Sequence, residues 1–366
     1  MKVAICRAIR KRKFRESLQR TGQMDSPKIR NMEEFAAFSG ISRPTVSKYF
    51  NDPKSVRRTT REKIEKALEE CDYRPNFFAV NQNRKLTKNI GIVVPYLADP
   101  FFAEIARRIE TLVIGSGYTP ILLSSHGDPA LEAENLNSLR AIKPAGVLLA
   151  PLGRISDRDI LEAFCADFPT VNFDANIDGI GEVFVGHNNA QATEVMIQYL
   201  VRSGEPPAFF EMRTPPNPNA NKRRLAYIET MERLGLSPHI IQVKGEGWDF
   251  EDIGFRGGKN VLSKSDLPSK TIFCSNDRLA IGFLAAAYEA GHRVGIGDDC
   301  SLRVAGHDNH PFSRFTCPTL TTISHDYSAI ATRGVETVLS LIDSGAHAES
   351  RQMVLFDGEL IMRASA

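Results

Sequence analysis

The spacing of apolar positions changes character along the chain. From residue 31 to about 76 it follows helical intervals. Met32, Phe35, Ala36 and Ser39 fall at i, i+3, i+4 and i+7, one face of a short helix. Asn31-Met-Glu-Glu34 fits a capping box at its start, and Gly40 is the residue type that ends helices in the left-handed region. Ser42 reads as a new N-cap, with Pro44 in the first turn, where a missing N–H costs little. The pattern predicts a second helix from Arg43 to about Asn51, with Val46 and Phe50 turned inward. Thr59-Thr-Arg-Glu62 repeats the capping-box pattern and opens a third helix with Ile64, Ala67, Leu68 and Cys71 on its inner face. Tyr73-Arg-Pro-Asn76 stops that helix, because the residue before proline avoids helical angles. Two short helices joined by a glycine turn, with a third across them, predict a helix-turn-helix unit over residues 31–75.

From Asn89 the pattern becomes short buried apolar runs alternating with helical stretches. Ile90–Val94, Ile121–Leu123, Val147–Ala150, Val171–Phe173, Phe209–Phe210, Ile272–Cys274 and Leu302–Ala305 read as strands. Phe102–Ser116, Ala192–Ser203, Arg223–Leu234 and Leu279–Ala290 read as helices between them. That alternation predicts parallel sheets covered by helices on both faces. The region is too long for one sheet, so two doubly wound lobes are expected. The first would take residues 89–185 and 320–345, the second 186–319 and 346–366. Residues 76–88 would be a hinge, and residues 1–30 a basic, disordered extension, with Met24 a natural first residue for the helical unit.

Charge is divided unevenly. Residues 1–88 hold 22 Lys+Arg against 10 Asp+Glu, and the remainder holds 24 against 34. A basic head on an acidic body points to a polyanionic partner for the head. The six cysteines are scattered without a CxxC pair, which argues against a zinc cluster and a disulfide framework. No stretch approaches the ~20 apolar residues of a membrane helix, and the basic N-terminus lacks the order of a signal peptide, so a cytoplasmic, nucleoid-associated protein is expected.

In a helix-turn-helix unit the second helix enters the major groove and reads bases with its N-terminal residues. Here these are Ser42, Arg43, Pro44, Thr45, Ser47 and Lys48. Arg43 and Lys48 can reach guanine O6/N7 or phosphate, while Ser42, Thr45, Ser47 and Asn51 are short donors suited to phosphate oxygens.

The run AAFSGISRPTVSKYFNDPKSVRRTTREKIEKALEECDYRPN resembles the headpiece of the LacI/GalR (lactose-repressor) family. The shared elements are the A-G-[VI]-S-x-x-T-V-S-[RK] core, the T-R-E-K-I helix and the Y-x-P-N end. The resemblance implies a homodimer on a near-palindromic operator, with Arg43 and Pro44 at the positions that choose bases. It also implies a hinge helix after Asn76 in which an alanine and a leucine follow, the leucine wedging into the minor groove. Ala79 keeps the first of these. Gln82 stands at the leucine position and Val80 at the usual arginine position, so a weaker operator kink is expected. The ending GELIMRASA lacks a leucine-heptad tail, so a dimer is expected rather than a tetramer.

In doubly wound folds ligands bind beyond the carboxyl ends of the strands. Those positions carry Asp99-Pro-Phe-Phe102, Ser124-Ser125, Phe173-Asp174, Ser275-Asn-Asp277 and Gly306-His-Asp-Asn309, with Arg224 at the start of a helix in the opposite lobe. Carboxylates, an amide and an arginine suit a ligand with several hydroxyls, stacked on an aromatic wall. The resemblance covers this region as a periplasmic-binding-protein-like core. It puts Phe101, Asp174, Arg224, Asn276 and Asp308 at effector-contacting positions, with Trp248 near an aromatic wall for which Phe250 competes. It also shows Ala226-Tyr227 where Ala-Gly is usual.

No strand is followed by a Gly-rich phosphate loop, no nucleophile is paired with a base, and His187, His292, His307 and His310 share no metal-ligand spacing. The expected protein is therefore a transcription regulator, not an enzyme, with no cofactor and no metal, whose partners are operator DNA and a sugar-like effector. A nucleobase effector, or a solute-binding protein of the same core, is the alternative.

Overall fold

In the computed structural model, residues 29, 31–51, 53–71, 73, 87–215, 217–264, 267–344 and 351–366 are described. The chain divides into two compact units, residues 1–86 and 87–366.

The first unit holds α1 (Met32–Ser39), α2 (Arg43–Asn51), a 3-10 turn at Pro53–Ser55 and α3 (Arg58–Glu69). Asn31 caps α1 by accepting the Glu34 backbone N–H at 2.8 Å, and its own amide donates to the Glu34 carboxylate at 2.9 Å. Gly40 ends α1 at φ 66, a conformation glycine adopts without a Cβ penalty. Phe35, Val46, Tyr49, Val56, Ile64, Ala67, Cys71 and Tyr73 form the core, with Phe35 stacked on Tyr73 at 4.7 Å. Phe50 and Leu68 are only partly buried, and Tyr49 takes the inward position beside Val46. The third helix begins one residue before the expected Thr59 cap. Its N-cap is Arg57, without a side-chain bond, and Glu62 instead pairs with Arg58 at 2.9 Å.

The second unit runs β1 (Asn89–Val94), α4 (Pro100–Gly115), β2 (Thr119–Ser124), α5 (Pro129–Ile142), β3 (Gly146–Leu149), α6 (Arg158–Asp167), β4 (Thr170–Phe173) and β5 (Val183–His187). It continues with α7 (Asn189–Ser203), β6 (Ala208–Met212), α8 (Pro218–Arg233), β7 (Ile240–Val243), α9 (Phe250–Leu262), β8 (Thr271–Cys274) and α10 (Asp277–Glu289). The last elements are β9 (Arg303–Ala305), β10 (Thr322–Ser324), α11 (Tyr327–Ser344), β11 (Gln352–Phe356) and β12 (Glu359–Ile361). Three helices start at an Asx-Pro pair: Asp99, Asp128 and Asn217 each accept a backbone N–H two residues on, and the proline opens the first turn.

One parallel sheet has the order β11-β5-β4-β3-β1-β2, the other β7-β6-β8-β9. The inner strands β3, β4, β6 and β8 are buried along their whole length, as sheets covered on both faces require, while edge strand β2 is not. These are the two doubly wound lobes that the alternation predicts. Their boundaries differ from the expected ones in two places. Residues 320–324 belong with the second lobe, because β10 pairs antiparallel with β12 and both pack on α7. Strand β11 belongs with the first lobe, because it lies parallel to β5.

The chain therefore passes between lobes three times, at residues 187–189, 324–327 and 356–359. The first and third crossings are tied together. Asn188 N–H donates to the Phe356 carbonyl at 2.8 Å, and its amide donates to Asp357 at 2.8 Å. The Gln191 side chain accepts the Gly358 N–H at 2.8 Å and donates to the Gly358 carbonyl at 3.2 Å.

Helices α9 and α10 approach closely through Gly254, Gly258 and Gly282. A Cβ at Gly254 would run into the Leu279 carbonyl, which belongs to the backbone and cannot rotate away. Helix propensity alone would make Gly254→Ala stabilising by ~1 kcal/mol. Overpacking is expected to win and to lower stability by ~1–3 kcal/mol in urea unfolding. A more stable alanine variant would show that the two helices are not in this contact.

Candidate functional site

Most of the residues singled out in the sequence fall on two surfaces, one in each unit. In the first, the start of α2 presents Ser42, Arg43, Pro44 and Lys48 to solvent, with Thr45 and Ser47 half-buried. Ser42 Oγ lies 2.8 Å from Thr45 Oγ1, and the Ser42 carbonyl accepts the Thr45 and Val46 N–H groups. Arg43 is paired with Glu33 of α1 at 2.5 Å, with both side chains more than half exposed. Such pairs are worth ~0–1 kcal/mol, so Arg43 is readily released to a phosphate or a base. Asn51 ends α2. Asn76, Ala79 and Gln82 lie outside the described residues.

The second surface is a cavity in the second unit, between the lobes. Phe101, Asp174, Trp248, Asn276 and Asp308 all line it, as does Phe250. Ser124 and Ser125 do not. Arg224 is not in the lining either. It points away, to Glu211 at 3.4 Å and Asn221 at 3.1 Å. Two arginines line the cavity, Arg278 of α10 and, on the helix that carries Arg224, its neighbour Arg223. Successive residues on a helix are turned by about 100°, so a one-residue difference selects a different face.

Arg223 is the hub. Its Nη2 is 2.6 Å from Asp308 Oδ1, Nη1 donates to the Ser275 carbonyl at 2.8 Å, and Nε donates to Asn189 at 2.9 Å. Asn189 donates to Asn219 at 3.3 Å, and Asn219 donates to Asp174 at 2.8 Å. This network starts on the first lobe at Asp174, crosses into the second lobe, and ends there at Asp308, whose backbone carbonyl accepts the hydroxyl of Tyr327, the first residue of α11. Asp174 and Asp308 sit at φ 60 and φ 103, a strained region for residues with a side chain.

The two carboxylates are in opposite electrostatic situations. Burial pushes Asp308 upward, but Arg223 and His325 outweigh it and hold its pKa at about 2. Burial dominates at Asp174, whose partners Asn217 and Asn219 are neutral, and raises its pKa to about 7 despite Arg223 and Lys222. Asp277 lines the cavity but is committed elsewhere. It accepts from Ser313 at 2.5 Å, Thr322 at 2.6 Å and the His310 N–H at 2.8 Å, while Asn276 caps α10 through the Leu279 N–H.

Further contacts hold the lobes closed. Asp99, at the start of α4, meets Arg278 of α10 at 2.9 Å, and Arg278 also meets Glu251 at 2.6 Å. Trp248 stacks on Tyr96 at 5.3 Å and edges against Phe102 and Phe250. Phe101 meets His187 and Tyr327 edge-on. Tyr227, where a glycine is the expected residue type, is fully buried, stacks on Phe209 at 5.0 Å and donates to the Pro207 carbonyl at 2.8 Å.

Sequence reasoning misses Arg223, Arg278, Asn219, Tyr327 and a histidine group. The Asn217-Pro218 cap is the available signal for where α8 begins. Nothing in the sequence brings His187, His307 and His325 together, yet the rings of His187 and His325 lie 3.8 Å apart and those of His307 and His325 4.9 Å apart. Burial pushes all three imidazoles below their ordinary pKa.

Residues 31–76 match the bacterial regulatory proteins of the lacI family, and residues 197–366 match a periplasmic binding protein-like domain. The chain is 28% identical over 336 residues to the NTD biosynthesis operon regulator NtdR of Bacillus subtilis, covering 91% of this chain and 99% of that one. It is 28% identical over 347 residues to the transcriptional repressor PurR of Mannheimia succiniciproducens, covering 91% and 98%. It is 27% identical over 314 residues to the ribose operon repressor of Escherichia coli K12, covering 85% and 92%. The fold is shared with the lac repressor dimer bound to operator and the anti-inducer ONPF, with a TM-score of 0.76 at 23% identity, covering 92% and 98%. Among the described residues no helix is long and apolar enough to cross a membrane.

The raised Asp174 carboxyl makes a pH prediction. An unfolded aspartate ionises near pH ~4, so between there and about 7 the folded state keeps a proton that the unfolded state has released. Stability then falls as pH rises through that window. Asp174→Asn removes this loss. Relative to wild type, the variant is expected to gain at least ~1 kcal/mol between pH 5 and pH 8 in chemical unfolding. A difference that stays constant across that range would contradict the assignment.

Proposed function

Because the chain belongs to the lacI family of bacterial regulatory proteins, we propose that it is a homodimeric transcription repressor whose operator affinity is set by a small polyhydroxylated effector bound between its two lobes. The observation that carries this reading is the Asp174–Asn219–Asn189–Arg223–Asp308 network, four of whose members, Asp174, Asn219, Arg223 and Asp308, line one cavity from both lobes, with Asn189 joining them from behind. Charged and amide groups at the strand ends accept from and donate to vicinal hydroxyls, while Phe101, Trp248 and Phe250 supply apolar walls for a C–H face. At the other end of the chain, Ser42, Arg43, Pro44, Thr45, Ser47, Lys48 and Asn51 are the residues proposed for the major groove, and Asn76, Ala79 and Gln82 for the hinge and minor groove. Asn276 and Asp308 remain in the proposed effector set, and Arg223 takes the place of Arg224. A repressor of this kind carries no catalytic group and works in the cytoplasm. The relative named for the ribose operon supports a sugar effector. The aromatic lining and the relatives named PurR favour a second reading, a nucleobase.

In mechanism, the effector favours one lobe arrangement over another. Its differential affinity for the two is what shifts the equilibrium. Lobe movement passes through the three crossings and alters the spacing of the two headpieces across the dimer, hence their joint fit to two half-sites.

A thermal-shift screen of sugars and nucleobases identifies the ligand, because a molecule selective for the folded state raises apparent stability. Operator affinity, on a duplex selected from a random library, is then expected to change roughly 5- to 150-fold with that ligand. Arg223→Ala is expected to abolish the change while the headpiece still binds DNA. An operator affinity indifferent to every stabilising ligand would sink the reading, and stabilisation by a nucleobase but no sugar would select the second one.

A further inference from the structure

The group of His187, which lines the cavity, His307 and His325 has no role in the effector reading. His187 closes β5, His307 follows β9, and His325 lies on the crossing between β10 and α11. Their exposures are 3%, 0% and 5%. A neutral imidazole carries one N–H donor and one acceptor nitrogen, and buried polar groups are normally paired. Here none of the six ring nitrogens has a hydrogen-bond partner among the described residues. The nearest approach is His325 Nε2 to Asp308 Oδ1 at 3.4 Å, without hydrogen-bond alignment.

His307, Asp308 and His325 each offer one ligand atom, and these atoms lie within 4.8 Å of one another. Two imidazoles and a carboxylate are donors of the kind divalent first-row metals take, with Zn–N and Zn–O bonds of about 2.0–2.2 Å. Closing from 4.8 Å to the edge of such a coordination shell needs side-chain adjustment of about an ångström. The carboxylate keeps lone pairs for a metal while Arg223 holds it, since an ionised carboxylate offers about four acceptor sites. An arginine on a ligating carboxylate is the outer partner that orients a metal ligand.

We propose that His307, Asp308 and His325 form a binding site for a divalent transition-metal ion, for which Zn2+ is the test ion. Residues 307 and 308 belong to the second lobe and residue 325 to a crossing, so an ion here pins that crossing to the lobe beneath the cavity. The His187 ring packs against that of His325 at 3.8 Å, tilted by 34°.

The test uses the full chain without a histidine tag, stripped with chelator, dialysed against ZnCl2 and measured for bound zinc. Wild type and His292→Gln, a change at a half-buried histidine outside the group, are expected to hold one Zn2+ per chain. His307→Gln and His325→Gln are expected to bind at least about tenfold more weakly. Substituting Co2+ in wild type is expected to give visible d–d absorption without a sulfur-to-metal band. That spectrum decides the matter if a variant fails to fold. Absence of zinc in wild type, unchanged binding in either variant, or a thiolate band assigning the ion to cysteine would each overturn the proposal.

Discussion

The Arg223–Asp308 pair is buried where the lobes and their crossings meet, and burial by itself opposes it. Taking two charges out of water is costly unless the remaining donors and acceptors are filled. Here each guanidinium nitrogen has a partner: besides Asp308, Arg223 reaches Ser275 at the end of β8 and Asn189 at the start of α7, and Asp308 lies near His325. Each partner sits on a different segment, so the pair fixes the relative positions of strand ends far apart in sequence. Removing one partner of a buried pair typically costs ~3–5 kcal/mol, because the other charge is left without compensation. The strained backbone at Asp308 persists for the same reason: the surrounding contacts over-determine it.

The lobes meet through two different kinds of contact. The Asp174 amide contacts, the Asp99–Arg278 bridge and Trp248 on Tyr96 join the lobes across the cavity. These are few, largely polar, and partly reached by solvent at Arg278 and Glu251. The crossings, by contrast, are held by paired backbone and amide bonds around Gly358 and Asn188. Lobe opening can therefore trade contacts at the cavity mouth while the hinge stays intact.

Local signals are legible in the sequence. Asn31 and Gly40 bracket α1 because a cap and a left-handed stop act within a few residues. The buried runs become inner strands because a sheet covered on both faces leaves no alternation to disguise them. Legibility ends where tertiary packing decides. Thr59 offers a capping pattern, but α3 starts earlier and Glu62 turns to Arg58. Strand β11 falls in the stretch expected in the second lobe and instead pairs with β5 across more than 160 residues of chain. Whether Arg223 or Arg224 faces the cavity depends on how α8 is rotated, which its cap at Asn217 sets. The histidine group is assembled wholly by topology, from residues separated by 120 and by 18 positions. Aromatic and carboxylate positions at strand ends are legible because the fold puts ligand contacts there.

The central claim is a coupling between the cavity and operator binding, and coupling free energies are reciprocal. Calorimetric titration of the effector into the free dimer and into the dimer–operator complex tests this directly. The account predicts that the two effector affinities differ by the same factor by which the effector changes operator affinity. Equal effector affinities for the free and operator-bound protein would contradict it.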